Sequence, residues 1–320
     1  MSIKTKDSHD STKLLQIFNL LIHCEINFLI QAFRSFCNIM SKRIVAVTGA
    51  NRGLGLALVK RLLKESNYET ILLCSRDVNK GKEVAKQLQD IEGASSKLDV
   101  AGLDMENQQS ISDFCGFVKQ KYGQVSAIVN NAGILFKEDT ISSTDKFVRT
   151  AKPNLFGVVY LNDQILNQDL IQKKGKIVNL SSKLAHSSGI RDAELKEKVK
   201  SISSYDDIFD LYDWFLEVSK TDKAKGLFSP NFPYQEYSFL KLLLSKYTML
   251  LSKDPRVTAK ELEVYSMCPG WCKTDMGGQM ASNTIESGTN VSYYLLNELQ
   301  GINEKLQGKL VYKAGVGIDM

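Results

Sequence analysis

The stretch Val47-Thr48-Gly49-Ala50-Asn51-Arg52-Gly53-Leu54-Gly55 decides the fold. It follows a short apolar run at 44–47 and opens a helical pattern over 54–63. Glycines between a strand and a helix permit a tight turn and close backbone approach. A pyrophosphate can then sit over the free N–H groups and positive end of the next helix. The spacing is T-G-x-x-x-G-x-G rather than G-x-G-x-x-G, and taken alone such a turn is equally an ordinary strand-to-helix connection.

Further strand-like runs at 70–74, 97–103, 127–129, 176–180, 263–267 and 309–312 alternate with helical patterns. That alternation predicts an α/β fold, a single doubly wound Rossmann domain with a parallel sheet of about seven strands. No repeat, low-complexity tract or Pro/Gly-rich linker follows residue 40, so 41–320 reads as one domain. A chain of 320 residues, 43% of them hydrophobic, can build a sizeable core. The net charge of +5 is spread along the chain beside acidic residues, and no basic cluster follows a phosphate backbone, which argues against nucleic-acid binding. The six cysteines form no C-x-x-C pair, which favours reduced thiols in the cytoplasm over a disulfide framework or zinc site. Of the three histidines, His9 and His23 precede the domain, so catalysis has to rest on other groups.

Residues 1–40 differ in character. Gln16, Asn19, His23, Asn27, Gln31, Arg34 and Asn38 recur at steps of three or four, which predicts an amphipathic helix within 14–40. Glu25 and Arg34 interrupt the apolar run that a membrane-spanning helix requires. Three readings stand in order of economy: a dispensable extension with Met40 as a natural start, a membrane-surface anchor or targeting segment, and a helix that docks on a partner.

Tyr237 and Lys241 lie at the start of a helical run that ends near Ser252. Residues four apart share a helix face, with Cβ atoms roughly 6 Å apart. Tyrosine ionises near pH 10, and each unit of downward shift needs about 1.4 kcal/mol. An adjacent ammonium favours the phenolate. In a chain with 12 tyrosines such a pair also arises by chance, so it needs support. That support is the run at 176–182, a strand ending in Ser181 and Ser182, where a hydroxyl can donate to a substrate oxygen as negative charge builds on it.

These elements, in this order, resemble the short-chain dehydrogenase/reductase family over essentially residues 43–320. The resemblance implies a catalytic tetrad of Asn154, Ser182, Tyr237 and Lys241. In that scheme Tyr237 gives the proton while hydride passes from the cofactor to a carbonyl carbon. Lys241 contacts the nicotinamide ribose, and Asn154 helps hold a water on Lys241. Ser181 is the structural neighbour of Ser182. The same resemblance assigns cofactor contacts to Gly49, Asn51, Arg52, Gly53, Leu54 and Gly55 in the turn, and to Asp104 beside the adenine. It extends them to Asn131, Ala132 and Gly133 of an N-N-A-G element, to Tyr237 and Lys241, and to Pro269, Gly270, Cys272 and Thr274 near the nicotinamide. Trp271 and Met276 then border the substrate pocket, and His186 joins them by its position four residues after Ser182. Pro153, just before Asn154, departs from the pattern and bears on the helix start.

Cofactor choice turns on the end of the second strand. NAD-specific relatives carry an acid there; this chain has Ser75 followed by Arg76, and Arg52 is a second cation for a 2′-phosphate, so the expected cofactor is NADPH/NADP+. Asp77 works against that positive field. Ser182 and Tyr237 are 55 positions apart, and the insertion at 183–234 carries Tyr205, Ile208, Phe209, Tyr212, Phe215 and Leu216 at helical spacing. Such an insertion resembles the carbonyl reductase-like branch, which implies a monomer and small carbonyl substrates such as aldehydes, ketones or quinones. Two rivals stay open: a reductase for one specialised metabolite, and a non-catalytic NADPH-binding regulator or scaffold.

Overall fold

The order of the sheet places the site. A computed structural model describes residues 42–89, 91–137, 140–229 and 234–319. The extension 1–40, with its expected amphipathic helix, lies outside the described residues. The strands are β1 (Ile44–Val47), β2 (Thr70–Ser75), β3 (Lys97–Gly102), β4 (Val125–Asn130), β5 (Ile171–Leu180), β6 (Glu263–Met267), β7 (Leu310–Lys313) and β8 (Val316–Ile318). They form one sheet in the order β3-β2-β1-β4-β5-β6-β7-β8. The direction of winding reverses between β1 and β4, and the crevice above that switch point is where a doubly wound sheet binds ligands.

The seven expected strands pair in parallel. An eighth, β8, runs antiparallel to β7 and was not anticipated. Its three residues are all at least partly exposed, so no apolar alternation marks it in the sequence.

All four residues of β1 are buried, as a parallel strand covered on both faces requires. Ile44 and Ala46 enter one core with α3 (Gln108–Tyr122), α5 (Gly157–Asn167) and α8 (Gln235–Leu251). Val45 and Val47 enter the other, with α1 (Gly53–Glu65) and the C-terminal segment. On the side away from β1 the sheet packs α2 (Val78–Leu88) against β2 and β3.

Pro153 neither starts nor stops a helix. The chain runs from α4 (Ser143–Ala151) through a π-turn, Lys152–Phe156, directly into α5. Proline has no N–H to bond the carbonyl one turn back, and the wider turn absorbs that loss. Asn154 lies within the turn and is fully buried.

The insertion supplies α6 (Ala193–Ser201) and α7 (Tyr205–Ser219), and α7 begins with a Ser204–Asp207 capping box. Its apolar face meets α4 and α8 through aromatic rings. Phe215 lies 4.3 Å from Phe239 and 4.5 Å from Phe147, and Tyr212 stacks on Phe147 at 4.8 Å. The helix α8, pressed between the sheet and this insertion, is buried on nearly every face from Ser238 to Thr248. The remaining helices are α9 (Pro255–Ala259) and α10 (Asn290–Tyr293). Among the described residues no helix is long and apolar enough to cross a membrane.

Candidate active site

The end of β5 is stitched to α8 by two serines and a lysine. Ser181 Oγ donates to the Lys241 carbonyl at 3.0 Å and pairs with Ser245 Oγ at 2.7 Å. Lys241 Nζ returns along the same seam and donates to the Leu180 carbonyl at 2.6 Å. Its ammonium lies 5.6 Å from the centre of the Tyr237 ring, as the four-residue spacing requires. Ser182, next along the strand, is half-buried, and its Oγ accepts the Leu184 N–H at 3.1 Å. That bond occupies the oxygen and leaves the hydroxyl proton to be donated elsewhere.

Asn154 closes the other side. A Cβ placed on Gly133 would lie 2.8 Å from Asn154 Oδ1 and 3.8 Å from Lys241 Nζ, so these three residues are contiguous and the first has to be glycine. The side chain of Asn154 is itself held in place. Its amide is engaged with the loop after β4, accepting from Ile134 N at 2.8 Å and donating to Ile134 O at 2.9 Å.

Electrostatics here follow burial more than pairing. Burial pushes the Tyr237 phenol well above its ordinary range, with the neighbouring Cys268 sulfur acting in the same direction. Burial lowers the Lys241 ammonium to about 7, against an opposing influence of Cys268. The protein by itself therefore favours a neutral phenol and a lysine poised near neutrality. Cys268 Sγ also accepts backbone N–H groups from Lys183 and Gly270, joining the loops that follow β5 and β6.

The glycine turn and the N-N-A-G element form one unit. Asn131 Nδ2 donates to the carbonyls of Thr48 and Gly49, and Ala132 N donates to Thr48 Oγ1. Gly49 has φ +61°, and a Cβ there would come within 2.9 Å of Ala132 Cα. A Cβ on Gly55 would meet Asn131 Nδ2 at 2.5 Å. The 13-residue helix α1 has no side-chain cap at Arg52, whereas α2, α3 and α4 are capped by Asp77, Asn107 and Ser142. Unbonded N–H groups at a helix start, approached by a backbone that leaves no room for side chains, fit a dinucleotide pyrophosphate.

Around that turn the expected residues divide. Asn51 and Leu54 stay partly exposed at its surface. Ser75 is buried, and its hydroxyl donates to the Asp77 carbonyl at 2.9 Å. Asp77 is spent on capping α2. Asp104 accepts the Glu106 N–H. Arg76 and Arg52 form ion pairs with Glu106 (3.7 Å) and Asp275 (3.3 Å).

The segment after β6 carries Pro269, Gly270 and Cys272, and is tied down by backbone bonds from Lys273 N to Asn283 O and from Asn283 N to Trp271 O. Thr274 Oγ1 accepts the Gly277 N–H at 3.0 Å. The stretch at 279–289 is thus anchored through Asn283. Trp271 is 55% exposed and donates from Nε1 to the Gly277 carbonyl, with Met276 partly buried nearby in sequence. His186 is exposed and its Nδ1 accepts the Ser188 N–H, which turns the ring to its own loop. Ile134 and Leu180 were missed by sequence reasoning, because they act through backbone atoms that no motif records; Thr48 had a signal, as the first letter of the T-G-x-x-x-G-x-G turn.

A family model described as short chain dehydrogenase matches residues 43–193. Carbonyl reductase (NADPH) 3 of Homo sapiens is 32% identical over 275 residues, covering 84% of this chain and 96% of that protein. Carbonyl reductase (NADPH) 1 of Rattus norvegicus is 31% identical over 260 residues, covering 79% and 90%. Among solved structures, salutaridine reductase from Papaver somniferum aligns with a TM-score of 0.71 at 20% identity over 85% of this chain and 99% of that one. An NADPH-bound carbonyl reductase from chicken fatty liver aligns with a TM-score of 0.61 at 22% identity over 87% and 99%. The chain belongs to the short-chain dehydrogenase/reductase family, in its carbonyl reductase-like branch.

Proposed function

We propose that this protein reduces small carbonyl compounds to alcohols with NADPH. The observation that carries the reading is the position of Lys241, hydrogen-bonded to Leu180, beside the Tyr237 ring and adjoining Gly133 and Asn154. When bound, the cofactor supplies the hydride. Tyr237, kept neutral by burial, gives its proton to the substrate oxygen. Ser182, whose oxygen already accepts from Leu184, donates a hydrogen bond to that same oxygen. Lys241, lowered to about 7, stands beside Tyr237 to restore the proton it gives up. Asn154 acts by fixing the loop after β4 through Ile134, which keeps Gly133 against Lys241. Arg52 and Arg76 take the 2′-phosphate, and the uncapped start of α1 takes the pyrophosphate.

Trp271 and Met276 form the apolar rim that receives aldehydes, ketones or quinones. The insertion covers the outer face of α8, which supports a monomer, and the unpaired buried thiols Cys74, Cys115, Cys268 and Cys272 suit the cytoplasm. Residues 41–320 act as one domain in this reading. The test is NADPH oxidation, followed by its near-ultraviolet absorbance, against a panel of aldehydes, ketones and quinones. Turnover on several classes is expected; turnover on a single compound would mark a specialised reductase, and none on any would leave only a binding role. Tyr237→Phe should lower turnover roughly a thousandfold while the NADPH dissociation constant stays within about twofold.

A further inference from the structure

Neither guanidinium assigned to the 2′-phosphate stands alone. Arg76 Nη1 lies 3.7 Å from Glu106 Oε1. Arg76 directly follows β2, and Glu106 follows β3, the strand paired to β2 through Ser75↔Gly102. The carboxylate comes from a defined turn: Glu106 N donates to Asp104 Oδ1 at 3.0 Å, and Asp104 N donates to Ser110 Oγ at 2.9 Å. Glu106 is the less exposed of the two partners, its side chain at 35% against 67% for Arg76. At the end of β2, where an acid would discriminate against a 2′-phosphate, stands Ser75 with its hydroxyl bonded to the Asp77 carbonyl. An acid is nevertheless present beside that place, delivered from the neighbouring strand.

We propose that Glu106 is a specificity-determining residue for the dinucleotide, acting through Arg76 to narrow the margin by which NADPH is preferred over NADH. The inference rests on the NADPH reading above. Arg76 has enough donors to meet both a carboxylate and a phosphate, but the two anions repel each other across it. A ribose with a free 2′-hydroxyl carries no such repulsion and offers a donor that a carboxylate can accept. Because the pair is largely solvated, the effect is modest and screened by salt.

The test uses the full chain and direct titration of NADPH and NADH, followed by quenching of protein fluorescence, with turnover as a second measurement. Glu106→Gln should tighten NADPH roughly threefold to fivefold, leave NADH no tighter, and lose most of its gain at high salt. In an Arg76→Ala background the same substitution should give less than half that gain. An unchanged or weaker NADPH dissociation constant in Glu106→Gln, with the melting temperature preserved, overturns the assignment and leaves the NADPH reading intact. A wild-type protein that binds neither dinucleotide overturns both.

Discussion

Lys241, at the base of the site, is 3% exposed, whereas the side chain of Arg76, at the rim beside β2, is 67% exposed. Both are cations assigned to one reaction, yet their surroundings make them different instruments. The buried ammonium has lost its hydration, so its protonation responds to every neighbour and its position is held by a backbone carbonyl. The solvated guanidinium keeps its water and shares its charge with Glu106, so it can change partners at little cost. In the proposed mechanism, the proton moves in the dry region, and recognition that admits and releases a ligand sits in the wet one.

The dry region depends on packing far from any reacting atom, and removing that packing should have the largest effect. Phe215→Ala deletes the ring that lies 4.3 Å from Phe239 and 4.5 Å from Phe147. Denaturant unfolding should show a loss of about 3–5 kcal/mol. A loss below about 1 kcal/mol would mean that the insertion does not hold α8, and the contrast between the two regions would need another cause.

Lys241→Met sharpens the comparison through pH. The lysine has a folded pKa of about 7 against an ordinary value of 10.5. Between those values the unfolded chain binds a proton that the folded chain does not. Wild-type stability from this group therefore rises with pH across that window and is lost as pH falls towards 7. The variant lacks the slope, so its stability advantage over wild type at pH 7 should shrink by up to a few kcal/mol by pH 9.5. A difference independent of pH would place Lys241 in contact with water.

Arg76→Ala should show the smallest effect on stability, within about 0.5 kcal/mol, because its ion pair with Glu106 is solvated. Its effect belongs to binding: NADPH should weaken roughly tenfold with NADH nearly unchanged. Equal weakening of both dinucleotides would remove Arg76 from the 2′-phosphate.

The strands and the principal helices were legible because their signals are local. A parallel strand buried on both faces is a short apolar run, as in β1 and β2, and a glycine turn announces its own geometry. Tyr237 and Lys241 were legible for the same reason, since one turn of one helix fixes their distance. Pro153 suggested a shifted helix start because proline is tolerated mainly in the first turn of a helix, and only the surrounding helices decide that a π-turn will carry the chain onward. The short β8 left no trace, because an exposed edge strand needs no apolar alternation.

The amino-acid sequence by itself determined the Rossmann class, the glycine turn and the pairing of a phenol with an ammonium, since each follows from residues within a few positions of one another. Only the tertiary structure decided that the Ser75 hydroxyl bonds the Asp77 carbonyl, that Asn154 clamps Ile134, and that Arg52 and Arg76 face Asp275 and Glu106. Such contacts join residues as much as 223 positions apart. Their geometry is set by how strands and loops meet once the core has formed, and periodicity along the chain carries no record of it.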